Sequence, residues 1–176
     1  MDLISDRGRR VSVEELNTSK LLAHAAKQAR DRKFEDVMIV DCDAHHYENE
    51  HMSEILPFME NEVFKQLAMA AGAKGSRGAV APGTFGYQDM GGRVTRYPLR
   101  ASEKTANNRV RDVQLGERWM DAMGVDYSCL FPTGMLNIGL HPQKEMEFEL
   151  CWAYARWVTE KVIPESGGRL YTMLCL

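Results

Sequence analysis

The chain has 176 residues, of which 44% are hydrophobic and 27% charged, and its formal net charge is −3. Such a composition suits one ordinary globular domain. The slight acidity argues against a basic surface for nucleic acid or anionic membrane, and the longest apolar runs, Val37 to Val40 and Tyr171 to Leu176, are too short to span a bilayer.

The N-terminus, Met1 to Arg7, is polar and lacks the apolar core of a secretory signal, so a cytoplasmic chain is the expectation. The four cysteines, Cys42, Cys129, Cys151 and Cys175, form no CxxC pair and each lies in an apolar stretch. They read as free, buried thiols rather than a disulfide framework. Eleven methionines suit irregular core packing.

Residues 1–35 read as a helical N-terminal extension. Leu16, Leu21, Leu22, Ala25 and Ala29 recur near helical spacing between Val13 and Lys33. A break near residues 17–19 would let Ser19 cap a second segment. Packing on the outside of the main unit and contact with a second copy both fit this pattern.

Residues 36–176 form the main unit. Val37 to Val40 is a short apolar run of the kind that makes a buried parallel strand. Ile55, Leu56, Met59, Val63, Phe64 and Leu67 predict a helix from about Ser53, with Pro57 in its first turn. Gly72, Gly75, Gly78, Gly83, Gly86, Gly91 and Gly92 predict a long loop over about 72–108. A helix over Val113 to Met123 ends at Gly124. A strand follows over Asp126 to Pro132, then a helix over Glu145 to Val162 stopped by Pro164, Gly167 and Gly168, then a strand over Leu170 to Leu176. The alternation predicts an α/β fold with a parallel sheet and crossover helices. The last strand has no helix after it, so the expectation is an N-terminal fragment, or a sheet edge completed by another chain.

The richest chemistry lies in Ile39-Val40-Asp41-Cys42-Asp43-Ala44-His45-His46-Tyr47-Glu48. Side chains alternate along a strand, which puts Asp41, Asp43 and His45 on one side and Val40, Cys42 and Ala44 on the other. The second set suits packing under helices. The first set lines two carboxylates and an imidazole toward the strand's C-terminal end, and burying them without partners is costly. A metal removes that cost, since carboxylate oxygen and imidazole nitrogen are ordinary zinc ligands at ~2.0–2.2 Å. The plain alternative is a strand end whose acids hydrogen-bond nearby loops.

This segment resembles the start of the amidohydrolase-related (amidohydrolase 2) family, which includes aminocarboxymuconate-semialdehyde decarboxylase and the hydroxybenzoate decarboxylases. Its members open with an apolar strand ending in Asp-x-His-x-His, or in a variant with an acid for the first histidine. Asp41-Cys42-Asp43-Ala44-His45 is similar to the acid-bearing variant, and Tyr47-Glu48 to what often follows. The run Arg118 to Asp126, followed by Leu130-Phe131-Pro132-Thr133, resembles the family's helix and second strand. Tyr154 to Val158, Pro164 and Arg169-Leu170 resemble its next helix and the lead into its third strand. The resemblance covers roughly residues 36–176.

It implies the N-terminal part of a metal-dependent hydrolase-type TIM (β/α)₈ barrel, comprising three strands, with one divalent metal ion, zinc or manganese. Asp43, a hard oxygen donor in place of histidine, moves the balance toward manganese. By position, Asp43 and His45 are the metal ligands of the first strand, and the family's other ligands belong to later strands. His24, His51 and His141 do not sit in matching positions. Glu48 is a candidate for contact with metal or substrate, and His141, on the loop after the second strand, for contact with substrate. Solvent exposure is the plain reading of both. His46 points opposite to His45 and reads as a supporting or packing residue.

The implied activity is hydrolysis of a C–N or C–O bond, or non-oxidative decarboxylation of an aromatic or unsaturated acid. The substrate would be small and carboxylate-bearing, with Arg77, Arg93, Arg96, Arg100, Arg109 and Arg111 as candidate anion contacts. No nucleic-acid or membrane partner is expected, and a homo-oligomer is compatible with the sequence. Two other readings stand beside this one. One is a non-catalytic partial barrel that needs a partner. The other is a phosphatase of the haloacid-dehalogenase type, which uses one aspartate as nucleophile and another as acid/base, a spacing that Asp41 and Asp43 share. That motif usually has Thr or Val at the fifth position, where this chain has His45.

Overall fold

Three strands pair in parallel in the order in which the chain makes them: β1 (Val40–His46), β2 (Tyr127–Pro132) and β3 (Leu170–Thr172). The computed structural model describes residues 18–46, 52–73, 110–132 and 134–172. Most of the glycine-rich stretch predicted over 72–108, the beginning of the N-terminal extension and the end of the third strand lie outside the described residues. Parallel neighbours need crossover connections. The helix α4 (Arg111–Met123) leads into β2, and α5 (Lys144–Trp157) connects β2 to β3.

The sheet is covered on one face. Ser128, Leu130 and Pro132 of β2 are buried, as are Leu170 of β3 and Ala44 and His46 of β1. Ala44, Leu130 and Leu170 share a core with Val113 and Met120 of α4 and with Leu150, Ala153, Tyr154 and Trp157 of α5. At Gly116 a Cβ would lie 3.6 Å from Leu170, so α4 rests closely on β3. The alternate residues face the other way. Tyr127 is 39% and Tyr171 51% exposed, and their rings lie 6.2 Å apart. Among the described residues this second face is open.

Two elements differ from expectation. The apolar run Val37 to Val40 is not a buried strand: β1 begins at Val40, and Val37 and Met38 are exposed. The reason is the partner strand. Ile39 accepts a hydrogen bond from Asp126 N (2.9 Å) and donates to Asp126 Oδ2 (2.8 Å), and β2 begins one residue later, so β2 does not extend alongside residues 37 and 38.

The helix predicted from about Ser53 is divided into α2 (Met52–Ile55), a 3₁₀ turn over Leu56–Phe58, and α3 (Glu62–Ala73). Pro57 brings no amide hydrogen and sits in the 3₁₀ turn. Asn61 restarts the helix, its Oδ1 accepting the N–H groups of Val63 (3.0 Å) and Phe64 (3.2 Å) in the manner of an N-cap.

The remaining elements follow the sequence closely. The helix α1 (Thr18–Asp31) packs on α4, and Ser19 Oγ accepts a hydrogen bond from Arg118 Nη2 (3.1 Å). Gly124 closes α4 at φ +73°, and Val125 N donates to Met120 O (2.9 Å). After α5 the helix widens into a π turn over Val158–Val162, just ahead of Pro164 in α6 (Ile163–Glu165). A wider turn relieves the clash between a proline ring and the preceding turn. Gly167 (φ +60°) and Gly168 (φ +84°) then turn the chain into β3. Among the described residues no helix is long and apolar enough to cross a membrane.

Candidate metal centre

The end of β1 is where the candidate ligands meet. Its pairing with β2 slips by one residue: Asp41 lies opposite Ser128, but Ala44 lies opposite Leu130. Three steps of β1 therefore span two steps of β2, as in a bulge. Downstream, Ala44 and His46 take the covered face and His45 the open one, where its ring lies 5.9 Å from Phe131. Upstream, the phase is reversed. Strict alternation would put Asp41, Asp43 and His45 on one side, but Asp41 shares register with the buried Ser128 and is out of phase with His45. Of the apolar set Val40, Cys42 and Ala44, only Ala44 is buried. The extra residue accounts for both departures.

Asp43 and His45 are brought together across the slip. His45 Nε2 lies 3.2 Å from Asp43 Oδ1, with the aspartate side chain 87% and the histidine side chain 15% exposed. Asp41 Oδ1 accepts the Asp43 amide at 3.0 Å and so braces the irregular backbone. Two donors bound at the usual zinc distances in tetrahedral geometry are about 3.3 Å apart, so the pair fits two positions of a cation's shell. The same separation also serves a hydrogen bond from His45. Among the described residues no group of three or more His, Cys, Asp and Glu side chains is placed to hold a metal, so these residues supply two donors of any larger set.

His46 is 1% exposed and its ring stacks on Trp157, with centroids 6.0 Å apart and 13° between planes. Its Nε2 lies 2.8 Å from the Tyr154 hydroxyl. Tyr154 and Thr172, which join it, were not singled out as site residues in the sequence. In the sequence Tyr154 is one residue of the helix predicted over Glu145 to Val162. The available signal was a hydroxyl-bearing side chain on a buried face that a strand-end histidine must also enter.

The other candidates are placed as follows. His141 is buried rather than solvent-exposed, and its Nδ1 lies 2.9 Å from Gln143 O and 3.1 Å from Gln143 N. The imidazole thus ties the loop to the start of α5. Glu48 and His51 lie outside the described residues, as do the side chains of Arg77, Arg93, Arg96, Arg100, Arg109 and Arg111. His24 is exposed on α1. Cys42 is exposed, not buried, whereas Cys151 is buried and Cys129 intermediate, and among the described residues none of the three forms a disulfide. Burial, with the nearby Cys42 and Asp41 adding to it, pushes the Cys129 thiol above its ordinary range.

No protein-family model matches the chain, and neither a curated protein nor a solved structure matches it significantly.

Proposed function

We propose that the chain carries the opening three strands of an amidohydrolase-type (β/α)₈ barrel and serves a metal-dependent hydrolase or carboxy-lyase acting on a small, carboxylate-bearing substrate. The observation that carries this reading is the 3.2 Å approach of Asp43 Oδ1 and His45 Nε2 at the end of the first of three sequential parallel strands. The open face and the C-terminal strand ends are where barrel enzymes assemble their sites. Asp43 and His45 would hold one divalent ion, zinc or manganese. Such an ion polarises a substrate carbonyl or carboxylate oxygen or activates water. The protein's own part is to present an exposed carboxylate beside a largely sheltered imidazole, with Phe131 near the ring.

The test is metal analysis of the full-length protein with Asp43→Ala and His45→Ala beside it. The expected result is about one zinc or manganese per chain, lost in both variants. Equal metal content in all three proteins would reject the assignment.

The open face also favours a second reading, a partial barrel completed by a partner. Tyr127, Tyr171 and Val40 leave it apolar and accessible. Measurement of solution mass distinguishes them, since a strictly monomeric chain that binds metal by itself removes the need for a partner.

A further inference from the structure

We propose that Tyr154 is a positioning residue for the Asp43–His45 pair, acting through His46; the inference rests on the metal-binding reading above and extends it to how the pair is aimed. The hydroxyl of Tyr154 lies 2.8 Å from His46 Nε2 and 3.3 Å from Thr172 Oγ1, and Thr172 Oγ1 donates to Leu130 O at 2.9 Å. Tyrosine and threonine each have one hydroxyl hydrogen. For all three contacts to be hydrogen bonds at once, Thr172 must give its hydrogen to the carbonyl, which can only accept. Tyr154 must then give its hydrogen to Thr172, and His46 must supply the hydrogen on Nε2. On that condition the direction runs His46 Nε2–H to Tyr154, Tyr154 to Thr172, Thr172 to the main chain of β2.

This chain of bonds joins all three strands to α5. His46, Tyr154 and Trp157 are each no more than 1% exposed, so a broken link would leave a polar group in an apolar core. Consecutive strand residues point to opposite faces. Pinning His46 between Tyr154 and Trp157 on the covered face therefore commits His45 to the open face, where it meets Asp43. Partners of this kind, one step removed from a ligand, fix the ligand's orientation and tune metal affinity.

The experiment uses the whole 176-residue chain with Tyr154→Phe, Thr172→Val and Thr172→Ser. Ring-nitrogen NMR of His45 and His46 is recorded without metal at one pH, and Mn²⁺ binding is then measured by calorimetry. Tyr154→Phe keeps the ring against Trp157 and removes only the hydroxyl. The expected result is loss of the hydrogen-bonded Nε2–H signal of His46, displaced His45 signals, and Mn²⁺ affinity weaker by about tenfold or more. Thr172→Val should act in the same direction, and Thr172→Ser should restore the parent behaviour. If Tyr154→Phe does not fold, the Thr172 pair decides the matter in the same way. Unchanged His45 signals in folded Tyr154→Phe or Thr172→Val would overturn the proposal. Should the parent chain bind no Mn²⁺, the metal reading fails by itself, and the metal-free His45 signals still decide whether Tyr154 aims the ring.

Discussion

Glu149 of α5 reaches the interruption of the helix ahead of α3 and accepts the main-chain N–H of Asn61 at 3.1 Å. The same oxygen accepts the N–H of Glu60 at 2.9 Å, so one carboxylate satisfies two amides that no helix can use. Glu149→Ala is expected to cost about 1.5–3 kcal/mol, the range for hydrogen bonds to charged groups. Asn61→Ala removes the cap of α3 and should cost about 1 kcal/mol. Because both side chains organise one break, the double variant should depart from additivity, which denaturant unfolding of the four proteins would measure.

Gly124 and Gly167 both have positive φ, but their surroundings differ. A Cβ at Gly124 would meet Phe34 Cβ at 3.1 Å, whereas one at Gly167 meets nothing within 4 Å. Gly167→Ala should therefore show the left-handed penalty alone, about 1–2 kcal/mol. Gly124→Ala should cost more, since the helix end must also move off Phe34. Equal losses in the two variants would mean that the Phe34 contact relaxes without cost.

Arg169 precedes β3 and binds three acceptors in the last turn of α4 and the link from α4 to β2. Nη1 lies 2.6 Å from Asp121 Oδ1, Nη2 2.9 Å from Val125 O and Nε 3.3 Å from Asp126 O. Arg169→Ala should destabilise the fold by about 1–3 kcal/mol. Arg169→Lys should recover part of that loss through Asp121 but cannot reproduce the fork. Thermal or urea unfolding of the three proteins checks the order parent, Lys, Ala.

The thiols should separate by accessibility and by pH. Cys42 is exposed, and alkylation should find it before Cys129 and the buried Cys151. Burial raises the Cys129 thiol, so its thiolate forms at higher pH than that of an ordinary cysteine. The unfolded chain loses this proton first as pH rises, and the folded state then loses stability over that interval. Site-resolved alkylation rates as a function of pH test this, and Cys129 reacting as fast as Cys42 at neutral pH would contradict it.

The alternation of elements was legible because the punctuation is local. Gly124, Pro164, Gly167 and Gly168 each act through their own backbone, and the helix and strand ends they mark lie close to where the sequence places them. What escaped sequence reading depends on distant partners. The beginning of β1 is set by where β2 begins, and the division of α2 from α3 is held by Glu149, almost ninety positions away. At the candidate site, residue types and spacing mark Asp43 and His45 as neighbours. Nothing in a period-two pattern announces the extra residue between Asp41 and Ala44, or the hydroxyls of Tyr154 and Thr172 that gather behind His46.

That extra residue amounts to a change of parity. Side chains before it and after it obey opposite rules for which face they enter, so one short strand answers two demands. Its first acid can stay in water at the sheet's edge while its two adjacent histidines divide, one to the interior and one outward. Deleting Cys42 would restore regular counting from Asp41 to His46, with Asp43 opposite Cys129 and both imidazoles left on their present faces, so that Asp41 and His45 would still enter opposite sides of the sheet.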